Sequence, residues 1–227
     1  MARIFVVKFI LFKDKFLLFI VFYSPNTANR TMSITTKITD VVNRKLLRRD
    51  RDRWNYQYNL GRWEGLGDIH ELARFSVIAG YAQHLKPNGK VLEIGAGEGY
   101  LQQRFDKTKY SLFYSTDASD VAIENGKKYE DEKTKYLVAD MNDYIPDQKF
   151  DVIIINEAIY YGGSVDKVLT RFNAYLEEEG VFIVSINGDE RNADWHRMME
   201  ASTFEKMDGT TVQTSRNTFY ITVLKKK

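Results

Sequence analysis

The chain has 227 residues, room for one α/β domain with a sizeable core and little for a second. It contains no cysteine, which excludes a disulfide framework or thiolate metal site, and its three histidines, His70, His84 and His196, are too scattered to compose a zinc site. The formal charge of +2 hides an asymmetry: residues 1–31 carry Arg3, Lys8, Lys13, Lys15 and Arg30 against Asp14 alone, a local +4 that leaves −2 on the rest and no general attraction for nucleic acid.

In chain order, residues 4–23 are apolar but broken by Lys8, Lys13, Asp14 and Lys15. A central K-D-K is costly in a membrane-spanning helix. A signal peptide using residues 16–23 lacks a small-residue cleavage site. A β-hairpin turning at residues 13–15 is a further option. Composition changes at S24-P25-N26-T27, and the run from Met32 reads as an ordinary cytosolic start. Residues 1–31 are therefore expected to be an extension outside the fold, with a signal, an anchor or an integral strand pair as alternatives. Residues 32–86 are expected to form a helical and aromatic lid, and residues 87–227 the core.

Residues 38–53 show a basic helical pattern that includes R44-K45-L46-L47-R48-R49-D50-R51-D52-R53, usually a solvated face and alternatively a phosphate contact. The aromatic run W54-N55-Y56-Q57-Y58-N59-L60-G61-R62-W63 follows. Asp68 is placed to cap a helix reaching His84, with Ile69, Leu72, Ala73, Val77 and Ile78 as its apolar positions and K86-P87-N88-G89 as its stop. Beyond it, apolar runs at 91–94, 112–116, 136–139, 152–156 and 181–186 read as buried parallel strands. Helices are expected near 100–106, 119–129, 165–177 and 193–200. The alternation predicts an α/β, doubly wound, Rossmann-like sheet with helices on both faces. Residues 204–212 and 218–224, around a turn at 214–217, add an antiparallel pair at the sheet edge.

The stretch V91-L92-E93-I94-G95-A96-G97-E98-G99-Y100 ends a strand in alternate glycines. Its spacing is G-x-G-x-G; the dinucleotide fingerprint G-x-G-x-x-G would require glycine where Tyr100 stands, and no P-loop Lys-Ser/Thr follows. Glu93, at the strand end, repels a diphosphate and suits a cationic ligand. Asp117 ends the next strand about 20 residues on, where an acid hydrogen-bonds ribose hydroxyls, and Asp140 with Met141 ends the third. A nucleotide-dependent oxidoreductase is the enzyme-class alternative, disfavoured by the glycine spacing and by Glu93.

With these motifs in order, residues 54–224 resemble a class I S-adenosylmethionine-dependent methyltransferase: V-L-E-I-G-A-G-E-G, then Y-S-T-D-A-S, V-A-D-M and F-D-V-I-I-I-N-E. The resemblance implies a seven-stranded sheet with the last strand reversed and S-adenosylmethionine as cofactor. It implies that Gly95, Ala96, Gly97 and Gly99 pass under the methionine part, with Glu93 near its amino group. Asp117 with Ala118 would hold the ribose, Asp140 and Met141 would flank the adenine, and Asn156 with Glu157 would begin the loop beside the reacting methyl.

No D/N-P-P-Y/F/W motif, arginine-methyltransferase acid hairpin or metal-binding Asp…Asp-Asn set is visible. N156-E157-A158-I159-Y160-Y161 is similar to the N/S-E-V-L-Y-Y segment of nodulation-type N-methyltransferases. The expected reaction is therefore methyl transfer to oxygen or nitrogen of a small-molecule acceptor, without a metal, by a cytoplasmic monomer or homodimer. An RNA acceptor guided by the basic stretch ending at Arg53 is the alternative. Candidate catalytic residues are Glu157, Tyr160, Tyr161 and, as a base, His196. Tyr58, Trp63 and Trp195 are candidates to cover the site, and His70 lies beside the lid.

Overall fold

A computed structural model describes the backbone of residues 5–12 and 15–22, and residues 51–225 in full. The chain divides into two units, Met1–Arg48 and Arg49–Lys227, each described by itself. In the first, β1 (Phe5–Phe12) and β2 (Lys15–Phe22) pair antiparallel from Phe5↔Phe22 to Phe12↔Lys15. That backbone is the hairpin option for this segment. The expected helical stretch at 38–50 lies outside the described residues; 51–53 begin a helix.

The second unit is built on a seven-stranded sheet. Its strands are β3 (Gly89–Ile94), β4 (Tyr110–Asp117), β5 (Thr134–Val138), β6 (Phe150–Asn156), β7 (Leu176–Asn187), β8 (Glu205–Gln213) and β9 (Thr218–Lys225). Their spatial order is β5-β4-β3-β6-β7-β9-β8. All neighbours from β5 to β7 run parallel, and β9 runs antiparallel to both β7 and β8. The reversed last strand is thus inserted between β7 and the outermost β8. The chain winds outward from β3 through β4 to β5, then crosses back to β6 on the other side. Carboxyl ends at such a switch point are where open α/β sheets leave a crevice.

Among the described residues five α-helices accompany the sheet: α1 (Arg51–Asn59), α2 (Ile69–Leu85), α3 (Asp120–Gly126), α4 (Val165–Asn173) and α5 (Ala193–Glu200). Alternate residues of the parallel strands bury to opposite faces, as a sheet covered on both sides requires. Val91, Val152, Ile154 and Ile183 meet Phe75, Ile78 and Ala82 of α2 on one face. On the other, Leu92, Ile153, Ile155 and Phe182 meet Val165, Leu169 and Phe172 of α4, with Trp195 and Met198 of α5 at the margin. Helix α4 has the simplest cause: apolar residues at 165, 168, 169 and 172 keep one face, and Ser164 Oγ accepts from Lys167 N at 3.3 Å as N-cap.

Several expected boundaries move. No helix spans 100–106; a single tight turn, Gln102–Arg104, is all that fits before Tyr110 must enter β4. The 119–129 helix stops at Gly126, which packs so closely on Tyr136 that a Cβ would lie 2.5 Å from its ring, and continues only as the turn Lys127–Tyr129. Helix α4 ends at Asn173 because Leu176 already pairs with Phe150. Helix α2 turns its expected Ile78 inward and packs Val77 against the core, but the rest of the inward face differs: Glu71, Arg74, Phe75, Ala79 and Ala82 are buried, while Ile69 is 76% exposed. Asp68 precedes α2 in extended backbone but makes no side-chain cap, lying 3.5 Å from Arg216 instead. Among the described residues no helix is long and apolar enough to cross a membrane.

Candidate cofactor and acceptor site

The glycine loop after β3 is stitched to the end of β4. Gly95 N and Ala96 N both donate to Thr116 O at 2.8 Å, and Thr116 Oγ1 donates to Glu93 O at 2.7 Å. Gly95 (φ +75°) and Gly97 (φ +57°) occupy left-handed backbone that favours glycine. Space is as restrictive as angle there: a Cβ on Gly95 would stand 2.5 Å from Ala158 Cβ, and one on Gly97 2.7 Å from Tyr58 Oη. Ala96 is buried between them, and Gly99 (φ +82°) closes the loop.

Three acids sit at or just past the carboxyl ends of the three adjacent strands β3, β4 and β5: Glu93, Asp117 and Asp140. Glu93 is 1% exposed and neither carboxylate oxygen has a hydrogen-bond partner. Burial pushes its carboxyl up to about 8; the charge of Asp117 adds to the rise and that of Arg74 opposes it. Asp117 accepts from Gly97 N at 2.9 Å and Ser119 N at 2.8 Å, and burial raises its carboxyl too. Ala118, half-buried, lies between these anchor points. Asp140 accepts from Asn142 N and Nδ2 at 2.8 and 2.9 Å, and Met141 beside it is buried.

The loop after β6 faces the glycine loop, as the Gly95–Ala158 approach requires. Asn156 ends β6, and Glu157 follows with φ +56°. Glu157 does not offer a free carboxylate: Oε1 accepts from Ser185 Oγ at 2.5 Å, and Oε2 accepts from Tyr160 Oη at 3.0 Å and Asn187 N at 3.1 Å. Burial and the neighbouring Glu157 raise the Tyr160 phenol, which also accepts from Asn187 N. Tyr161 is 45% exposed and its phenol is raised, mainly by burial. His196 Nε2 lies 3.1 Å from Asn187 O; a carbonyl only accepts, so Nε2 carries the proton and Nδ1 keeps the free lone pair.

Aromatic rings continue from α5 to the glycine loop. Trp195 meets Tyr160 at 5.7 Å between centroids, Tyr160 meets Tyr161 at 6.2 Å, and Tyr161 meets Trp54 at 4.7 Å. Trp54 then meets Trp63 at 6.3 Å, and Trp63 meets Tyr58 at 6.1 Å. Burial, then the charges of Asp117 and Glu98, raise the Tyr58 phenol. Helix α1 is latched to the start of α3, next to Asp117: Arg51 lies 3.1 Å from both Asp120 oxygens, Asn55 Nδ2 donates to Asp120, and Asn55 Oδ1 accepts from Ser119 Oγ at 2.7 Å. His70 is not part of this assembly; its Nδ1 pairs with Ser215 Oγ at 3.0 Å by the β8–β9 turn.

The structure therefore brings together Glu93, the glycines, Asp117, Asn156, Glu157, Tyr160, Tyr161 and His196 along one edge of the sheet. Sequence reasoning missed Arg74, Ser185, Asn187 and the Asn55–Ser119 pair. Arg74 left one legible signal, a charge at spacing i, i+3, i+4, i+7 with Glu71, Phe75 and Ile78. Among the described residues no cluster of metal-ligating side chains occurs.

The glycine spacing, the reversed last strand and the acid at each strand end define the class I, S-adenosylmethionine-dependent methyltransferase fold. The chain belongs to the methyltransferase-domain family, whose profile matches residues 85–223. Among solved structures, it is similar to N-methyltransferase NodS of Bradyrhizobium japonicum WM9 in complex with S-adenosyl-L-homocysteine, with a TM-score of 0.63 and 13% identity over 75% of this chain and 97% of that one. Magnesium protoporphyrin IX methyltransferase (ChlM) of Synechocystis PCC 6803 with bound S-adenosylmethionine gives a TM-score of 0.63 at 12% identity, covering 87% and 100%. The mouse protein named arginine-hydroxylase NDUFAF5, mitochondrial, is 27% identical over 99 residues, 43% of this chain; the chain covers only 28% of that protein. The residues present fit the donor cofactor: glycines whose Cβ positions are filled, and a buried acid with two unpartnered oxygens beneath them.

Proposed function

We propose that this methyltransferase moves a methyl group from S-adenosylmethionine to an oxygen or nitrogen of a small-molecule acceptor bound under the aromatic rings that run from Trp195 to Tyr58. The carrying observation is that succession of six rings, which spans from α5 across the loop after β6 to the glycine loop. Flat apolar surface with few free charges suits a small acceptor better than a polyanion. The two described arginines of the basic stretch are engaged within the chain, Arg51 with Asp120 and Arg53 over the Trp54 ring at 5.0 Å.

When bound, the cofactor supplies a methyl already activated on a sulfonium. What remains for the protein is to hold, orient and keep water out. In this reading Glu93 offers its carboxylate to the cationic amino-acid end, the free lone pairs of Asp117 accept from ribose hydroxyls, and Asp140 with Met141 borders the base. Glu157 serves as the clasp of its loop, its oxygens spent on Ser185, Tyr160 and Asn187. Tyr161, protonated and accessible, orients the acceptor. His196 Nδ1 takes the proton when the acceptor is a hydroxyl.

A screen with methyl-labelled donor tests the acceptor class. The purified protein is incubated with a metabolite extract, total RNA or a protein extract. Label in the metabolite fraction alone is expected; label confined to RNA or protein would overturn the reading.

A further inference from the structure

Arg74 is 2% exposed, yet it lies at the carboxyl end of the sheet rather than deep in the core. Its guanidinium carbon stands 4.6 Å from the ring centroids of both Phe75 and Phe219. Nη2 donates to Glu71 Oε2 at 2.7 Å, Nη1 donates to Asn156 Oδ1 at 2.7 Å, and Nη1 is 3.9 Å from Glu157 Oε1. Stability alone is a poor reason for such a group, because buried ion pairs are often replaceable by apolar side chains at no loss.

Direction is the better reason. An arginine only donates, so the side chain that meets it must present oxygen. Asn156 is thereby turned with Oδ1 toward Arg74. Its Nδ2 is left without a partner among the described residues, at the end of β6 beside the glycine loop. Glu71 completes the restraint from the previous turn of α2 and offsets the buried charge.

We propose that Arg74 is a positioning residue that fixes the amide of Asn156 so that Nδ2 faces the cleft as a donor to the cofactor. This rests on the cofactor reading above. Arg74 thus acts through Asn156 and does not touch the ligand. Its planar fork fits the task, since it spans Glu71 and Asn156 at once where a lysine presents a point charge.

The test is a double-mutant cycle read by calorimetric binding of S-adenosylhomocysteine to the full chain. Asn156→Ala is expected to weaken binding about tenfold, the weight of one good hydrogen bond to a charged or polar partner. The titration is done well above the Glu93 range of about 8, where that carboxylate is formed with or without the Arg74 charge. Arg74→Met is then expected to weaken binding by a similar factor, and the two together by no more than Asn156→Ala alone. Because Arg74→Met strands Glu71, the pair Glu71→Leu with Arg74→Met removes both charges and keeps the cycle usable should the single variant not fold. Multiplying effects would overturn the proposal by showing that Arg74 acts independently of Asn156, as would unchanged affinity in either the Asn156 or the Arg74 variant. Failure of the unaltered protein to bind S-adenosylhomocysteine would instead refute the cofactor reading.

Discussion

Glu93 concentrates the electrostatics of the site at a single residue. A carboxylate 1% exposed with no partner holds its proton far above the usual range, to about 8. Because the folded protein then binds more protons than the unfolded chain between about 4.5 and 8, stability must fall as pH rises through that window. The slope has an upper bound of about 1.4 kcal/mol per pH unit, and Asp117, also raised, acts with the same sign. Urea denaturation at pH 5.5, 7 and 8.5 is expected to show this decline in the ligand-free protein and a flatter one in Glu93→Gln. Cofactor affinity should move oppositely, strengthening with pH as the carboxylate forms. Asp117→Ala is expected to weaken S-adenosylhomocysteine binding by roughly 1–3 kcal/mol, the loss from stranded polar partners; unchanged calorimetric affinity would reject its ribose role. Gly95→Ala meets both positive φ and Ala158, so a loss of about 1–3 kcal/mol in thermal or chemical unfolding is expected. These residues were legible in the sequence because strand ends and glycine spacing are local signals. Arg74 and the pairing of Glu157 with Ser185 and Asn187 were not, because they join positions distant along the chain.

The parallel strands could be read from short apolar runs, and their burial on both faces explains why such runs were unbroken. Helix α2 was placed correctly, and Val77 and Ile78 face the core as expected, but the rest of its inward face differs. Its exposed Ile69 and Leu72 invited an apolar face, while the buried face carries Glu71 and Arg74, whose mutual pairing makes burial tolerable. The missing 100–106 helix has a geometric cause, since the chain has room only for one tight turn between Gly99 and β4. Helix α1 is held to α3 chiefly through Asp120, which receives Arg51 and Asn55. Asp120→Ala is expected to leave global unfolding nearly unchanged, because exposed ion pairs contribute little to stability. It should nevertheless free α1, seen as faster limited proteolysis within residues 51–59 and faster release of S-adenosylhomocysteine. Proteolysis at the unaltered rate would show that the Asn55–Ser119 hydrogen bond and the aromatic contacts suffice to secure the helix.

At the scale of the whole molecule, the sheet with order β5-β4-β3-β6-β7-β9-β8 puts three acids, a glycine loop and an aromatic cover on one edge, although they come from stretches far apart in sequence. The hairpin β1–β2 belongs to the other unit. If residues 1–31 stand outside the methyltransferase fold, a chain starting at Met32 should bind S-adenosylhomocysteine as the full chain does; loss of folding would assign them to the domain. Fold and cofactor class were readable from spacing, whereas the acceptor was not, because the aromatic rings proposed to surround it come from three separate segments and no local motif encodes how they converge. The central claim is a pocket for the adenosyl amino-acid frame of S-adenosylmethionine rather than for a dinucleotide. Calorimetric titration of the full chain with S-adenosylhomocysteine and with NAD tests it most directly. The account predicts saturable binding of S-adenosylhomocysteine, weakened by Asp117→Ala, and none of NAD; binding of NAD without S-adenosylhomocysteine would contradict it.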